Sequence, residues 1–307
     1  IREIVKEKYP GEADEIRSRY GIKPGEEQDS VPGRDKSSNV ILVHGLDDPG
    51  KVWMNLAPVL AEKGFRVWFF RYPDDQPIAD SAALFYAEMA LLRQDGPETL
   101  SIVAHSMGGL VTRDMLTRPE FDYSEAAAEG RVPKVLRLIM VGTPNHGSAL
   151  ARLRIFTEFR DQMLQLFRGD YVWLQSVLDG AGEAGLDLIP ESPFLTTLNS
   201  RPHSEDVSMA VIAGMMQGGE NGEIDAFISD LKGKLPDATH DAIEQVARFI
   251  NSMAQGLGDG LVPVDSAKLE GVPLHIVPGT HLSIIRNISE KSGRVPPAIP
   301  IILEYLN

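Results

Sequence analysis

The run Leu100-Ser101-Ile102-Val103-Ala104-His105-Ser106-Met107-Gly108-Gly109-Leu110-Val111 decides how the chain is read. It begins as a short buried strand, turns a tight corner at Ser106, and continues as the first turns of a helix expected to reach about Leu116. A serine at such a strained strand-to-helix corner projects its hydroxyl beyond the sheet edge, and small neighbours let strand and helix approach. The usual pattern is G-x-S-x-G. Here Ala104 stands at the first glycine position, a mild departure because that position needs a small side chain more than a positive φ. Gly108 and Gly109 keep the other side small. The plain alternative is that Ser106 only caps the helix by accepting from its first amides.

Outward from this run, strands and helices alternate. Residues 40–43 (Val-Ile-Leu-Val) form a continuous apolar run, as in a parallel strand covered on both faces, and end at His44-Gly45-Leu46. Beyond a loop holding Asp47, Asp48, Pro49 and Gly50, the positions Val52, Met54, Leu56, Val59 and Leu60 predict a helix to Lys63, stopped by Gly64. Residues 65–70 read as a strand, 77–92 as a helix through Ile78, Ala82, Phe85, Met89 and Leu92, and 135–141 as a strand ending at Gly142-Thr143-Pro144-Asn145-His146-Gly147-Ser148. Four such alternations imply an α/β class: a doubly wound, mainly parallel sheet with helices on both faces.

Residues 1–36, rich in charge and turn formers, are expected to be a peripheral N-terminal arm with one or two short helices. Residues 37–307 form one domain. Within it the alternation breaks over about 149–201, a helical cap with many large apolar residues, and again over a second helical insertion at about 222–255. Strands at 207–213 and 273–277 and a final helix at 298–305 complete the expected sheet and its cover.

The composition is that of an ordinary globular chain: 43% hydrophobic and 24% charged residues, with no apolar run long enough to span a bilayer. The formal charge of -14, with no basic patch, argues against a nucleic-acid partner. No cysteine is present, which removes disulfides, thiolate metal sites and thiol nucleophiles together. The chain starts at Ile1 and carries no signal-like apolar segment, so it is expected to be processed or trimmed, with any export signal already gone; the compartment stays open.

Acyl transfer through serine needs a histidine to take the proton and a carboxylate to orient that imidazole. In a doubly wound sheet these groups gather beyond the carboxyl ends of the strands, and in this architecture they follow in the order serine, acid, histidine. Seven histidines are available. His105 adjoins the serine and points elsewhere along its strand; His44 and His146 come too early. His203 and His240 lie in insertions, and His275 lies within the last strand. His281 follows that strand in a glycine-led loop and is the expected base. Asp259, in a Gly-Asp-Gly turn before Leu261-Val262-Pro263, is the first candidate acid. Asp265 is its rival, and Asp225 opens a helical insertion. The oxyanion donors are expected to be the backbone N–H groups of Met107, just after the nucleophile, and Leu46. The His44 side chain is read as structural.

Together Val43-His44-Gly45-Leu46, Ala104-His105-Ser106-Met107-Gly108-Gly109, Gly142 to Ser148, Asp259-Gly260-Leu261-Val262-Pro263 and Gly279-Thr280-His281 resemble the α/β-hydrolase superfamily. Within it they resemble the bacterial lipases and the esterases related to the GPI inositol-deacylase (PGAP1-like) group. The resemblance spans residues 40–281 and implies a serine carboxylic-ester hydrolase working through an acyl-serine. Ser106, Asp259 and His281 would form its triad, Leu46 and Met107 its oxyanion hole, and no organic cofactor would be needed. Some related lipases hold a structural calcium near the acid and base loops; no ligands for it can be matched here, so no metal is expected. The expected partner is a small-molecule or lipid ester, with the cap as the place for transient contact with a lipid surface. Acyl transfer, thioester or amide cleavage by the same triad, or a silent binding member of the fold, are the alternatives.

Overall fold

A computed structural model describes residues 19–25, 38–46, 50–148, 182–216, 258–287 and 292–307. Among them, seven strands make one sheet: β1 (Gly21–Pro24), β2 (Asn39–Val43), β3 (Arg66–Arg71), β4 (Thr99–His105), β5 (Lys134–Val141), β6 (Ser208–Met215) and β7 (Leu274–Pro278). The described helices are α1 (Leu56–Glu62), α2 (Ile78–Asp95), α3 (Met107–Thr117), α4 (Tyr123–Ala128), α5 (Gly182–Asp187), α6 (Pro193–Ser200), α7 (Val264–Ala267) and α8 (Ala298–Leu306). The strand order is β1-β3-β2-β4-β5-β6-β7, and every pairing is parallel except that of β1 with β3. The chain winds outward from β2 to β3, then returns past β2 to lay down β4. The order therefore reverses between β2 and β4, where a doubly wound sheet opens a crevice at its carboxyl edge.

Alternation along the strands explains the unbroken apolar runs. In β2, Ile41 and Val43 face one layer, with Phe85, Met89 and Met115 from α2 and α3. Val40 and Leu42 face the other, with Leu56 and Leu60 of α1 and Ile299 and Ile302 of α8. Both faces are dry, so neither parity can be polar.

The structure refines the sequence reading in three places. The helix expected over 52–63 is a 3-10 turn at Lys51–Trp53 followed by α1. The polar connection at 118–133 carries a 3-10 turn and the short α4, which the sparse apolar positions do not announce. Within the N-terminal arm, Gly21–Pro24 adds an antiparallel edge strand. Its Ile22 N–H donates to Glu88 Oε2 of α2 at 3.0 Å. Four residues are too few for a period to be read, and the open edge of β3 supplies the pairing. The rest of the arm, residues 149–181 of the expected cap and the insertion at 222–255 lie outside the described residues; α5 and α6 are the described part of the cap.

Candidate active site

Ser106 stands between β4 and α3 with φ 53° and ψ −131°, a conformation a non-glycine residue holds only under constraint. Its side chain makes no capping hydrogen bond to α3, which sets aside the reading of Ser106 as a plain N-cap. The backbone fixes the corner instead. The Ser106 N–H donates to Val141 O at 2.9 Å, and the Gly109 N–H to Ser106 O at 3.0 Å. Ala104 lies fully buried in β4, paired with Val43 and Met140 and absent from the positive-φ residues, so its methyl group fits where glycine is usual.

His281 and Asp259 meet directly. Nδ1 of His281 lies 2.8 Å from Asp259 Oδ2, with the two residues only 7% and 2% exposed. The His281 N–H also donates to the Asp259 carbonyl at 2.9 Å. The other carboxylate oxygen accepts from the N–H groups of Leu261 (3.0 Å) and Val262 (2.7 Å). Asp259 is thus oriented by its own turn, and it leaves Oδ2 for the imidazole. An Asp Oδ2 bond at Nδ1 directs the opposite ring nitrogen, Nε2, toward chemistry.

Gly142 brings this pair to the end of β5. It follows Val141, whose carbonyl accepts from the Ser106 amide, at φ 59°. A methyl group on Gly142 would sit 3.1 Å from the His281 ring and 3.3 Å from Asp259 Oδ2, so a Cβ at this positive φ would crowd the ring. No hydrogen bond joins Ser106 Oγ to the ring in this structure, and hydrolase sites tighten that contact once substrate is bound.

The Met107 N–H lies at the first position of α3, where an amide has no partner within the helix. The loop after β2 comes just as close. A methyl group on Gly45 would lie 2.7 Å from Ser106 Cβ and 3.2 Å from Oγ, which brings the Leu46 backbone alongside the serine. His44 is buried, stacked on Tyr72 at 4.4 Å, and its carbonyl accepts from the Tyr72 hydroxyl at 2.7 Å. Tyr72 thereby braces this loop; as the first residue after a strand rich in aromatics it was indistinguishable from core in the sequence. Burial, followed by Asp74, pushes the Tyr72 phenol well above its ordinary pKa, so it stays a donor.

The remaining candidates fall away from this cluster. Asp265 is exposed on α7. His146 is exposed; His275 pairs with Tyr305 at 2.9 Å; His203 is half-buried, its pKa lowered by burial and then by Arg113. Asp225 and His240 lie outside the described residues. His105, set aside above as adjoining the serine, meets the His281 carbonyl through its Nε2 at 3.1 Å. A polar residue at the end of an apolar strand was the signal in the sequence. Among the described residues, no group of three or more His, Asp or Glu side chains is placed to hold a metal ion.

The strand order and the flanking helices are those of the α/β-hydrolase fold. The family model that matches residues 82–247 is described as "Domain of unknown function (DUF7379)". The chain belongs to that family, whose match takes in Ser106 and ends before Asp259 and His281. The chain is 25% identical over 243 residues to the pimeloyl-[acyl-carrier protein] methyl ester esterase of Photobacterium profundum, covering 76% of this chain and 81% of that protein. Its fold is similar to that of the mature Bacillus licheniformis lipase BlEst2, with a TM-score of 0.62 and 20% identity over 93% of this chain and 98% of that one. It is also similar to that of phospholipase PlaB from Legionella pneumophila, with a TM-score of 0.57 and 17% identity over 88% of this chain and 59% of that one. Among the described residues no helix is long and apolar enough to cross a membrane.

Proposed function

We propose that the protein hydrolyses carboxylic esters through an acyl-serine, with Ser106 as nucleophile, His281 as base and then acid, and Asp259 as the carboxylate that orients it. The observation that carries this reading is the strained Ser106, whose hydroxyl caps nothing, bonded through its amide to the β5 end on which the buried His281–Asp259 pair packs. The names of its relatives, an esterase and two lipases or phospholipases, support the ester as substrate class.

Ser106 Oγ attacks the ester carbonyl as its proton passes to His281 Nε2, forming a tetrahedral oxyanion. The Met107 and Leu46 N–H groups receive that oxyanion. Asp259 holds Nδ1–H and stabilises the imidazolium without taking its proton. Collapse breaks the bond to the leaving oxygen, which takes the proton from Nε2 and departs as the alcohol. Water, deprotonated by His281, then attacks the acyl-serine; the bond to Oγ breaks, Oγ takes the proton back from Nε2, and the acid is released. The cap is where the acyl chain would lie, and where a lipid surface would be met.

Fluorophosphonate labelling with peptide mass spectrometry tests the chemistry. A single modified peptide containing Ser106, lost in Ser106→Ala together with p-nitrophenyl butyrate hydrolysis, is expected. Label on a peptide lacking Ser106 overturns the assignment.

A further inference from the structure

We infer that His105 is the positioning residue for the base: its Nε2–H donates to the backbone carbonyl of His281 and ties the base loop to the strand that carries the nucleophile. This rests on the reading of His281 as base. The two residues lie 176 apart in sequence, yet His105 Nε2 is 3.1 Å from His281 O. The rings are in tilted contact, centroids 4.7 Å apart at 48°.

The other bonds of the base loop do not reach β4. The His281 amide and Nδ1 both bind Asp259, and the Gly279 N–H donates to Met215 O of β6. The flanks of Asp259 are held by Met216, whose N–H donates to Gly258 O, and by Ser148, whose hydroxyl donates to Leu261 O. These bonds secure base and acid to one another, to the end of β6 and to the loop after β5. Among the hydrogen bonds of the described residues, that of His105, one peptide from Ser106, brings in the nucleophile's own strand. A shift of about 1 Å in reacting groups costs on the order of 10²-fold in rate, so a strut at this place acts on turnover.

The proton on His105 is assigned by its surroundings. A carbonyl only accepts, so Nε2 carries the hydrogen. His105 is 2% exposed, and its Nδ1 is buried with no partner among the described residues. A second proton there would be both charged and unbonded. Burial, followed by the charges of His281, Arg286 and His44, holds its pKa well below the ordinary histidine value, against a smaller opposite effect of the bond to His281 O. The side chain is therefore a fixed neutral donor.

The test compares variants of the full chain, each checked for folding by circular dichroism. His105→Gln carries an amide N–H near the Nε2 position and should retain kcat within about fivefold, whereas His105→Phe keeps a ring without a donor and should lose about 10²-fold in kcat, with KM for p-nitrophenyl butyrate within about twofold. Fluorophosphonate labelling of Ser106 should slow in step with kcat. If His105→Phe does not fold, His105→Asn, whose amide is one methylene too short, takes its place and is expected to fail where Gln succeeds. A folded Phe or Asn variant turning over as fast as Gln overturns the positioning role. His281→Ala separates the two readings: if it is inert while His105→Phe is unimpaired, only the strut falls. If His281→Ala turns over like the parent, the base assignment falls and the strut with it.

Discussion

A buried imidazole held neutral makes folding depend on pH. In the unfolded chain His105 takes a proton as pH falls through about 6.5, the ordinary value; in the native chain its pKa lies well below that. The unfolded state then binds more protons, so this residue's contribution is fully present above pH ~6.5 and is lost as pH falls toward the native-state value. Urea unfolding of the parent at about pH 7.5 and about pH 5.5 should show a larger loss of stability than the same pair of measurements on His105→Gln, which does not titrate. Equal losses would show that the imidazole is already protonated in the native protein at the lower pH. The residue scale is also where the sequence was most legible for chemistry. Ser106 and His281 are marked by order and by corner chemistry, and Asp259 by a glycine-flanked turn. The sequence marks His105 only as a polar residue ending an apolar strand, without its partner, and does not mark Tyr72, because a side chain buried beside a strand end looks the same in sequence whether it fills the core or braces a loop.

At the scale of elements, α3 is tied to α6 and α7 by polar groups rather than by apolar packing alone. Arg113 on α3 is 2% exposed, and burial, then Arg201, lowers its pKa to about 10, so it remains charged near neutral pH. Its Nη1 donates to Asn145 Oδ1 and its Nη2 to Asn199 Oδ1 on α6, both at 3.0 Å. Asn145 in turn donates through Nδ2 to Ala267 O of α7 at 2.7 Å, and its carbonyl accepts from Asn199 Nδ2 at 2.9 Å. One flank on, Asp114 pairs with Arg118 and with Arg201, which follows α6. Asn145 is fully buried and joins α3, α6 and α7, so truncating it strands a charged donor and a carbonyl together. Asn145→Ala should destabilise the fold by about 3 kcal/mol, measured by urea unfolding. A cost under about 1 kcal/mol would mean that the arginine has found another acceptor. Helical period predicts which face of α3 is buried. It does not reveal that the buried face carries an arginine and an aspartate, or that their partners include Asn145, Asn199 and Arg201, which lie 32, 86 and 87 residues away along a course no periodicity encodes.

At the scale of the whole molecule, the parallel core was readable because central strands such as β2 and β4 are buried on both faces and end in turn-rich loops; the short antiparallel β1 was not, because it exists only where β3 offers an edge. The net charge of -14 acts over the entire molecule and is independent of those details. At low ionic strength, where screening extends to about 30 Å, an acidic protein repels anionic ligands during approach; near 0.3 M salt that field is confined to several ångströms. The second-order rate constant kcat/KM for a negatively charged ester, such as p-nitrophenyl hemisuccinate, should therefore rise severalfold as NaCl is increased from about 0.01 M to about 0.3 M. The neutral p-nitrophenyl butyrate, which feels no such field, should change little over the same range and serves as the control for any effect of salt on the chemistry itself. A fall in kcat/KM for the anionic ester would mean that local cations near the site outweigh the global charge. The two outcomes have opposite signs, so one salt series decides whether anionic esters are disfavoured by the molecule as a whole or gathered by local charge.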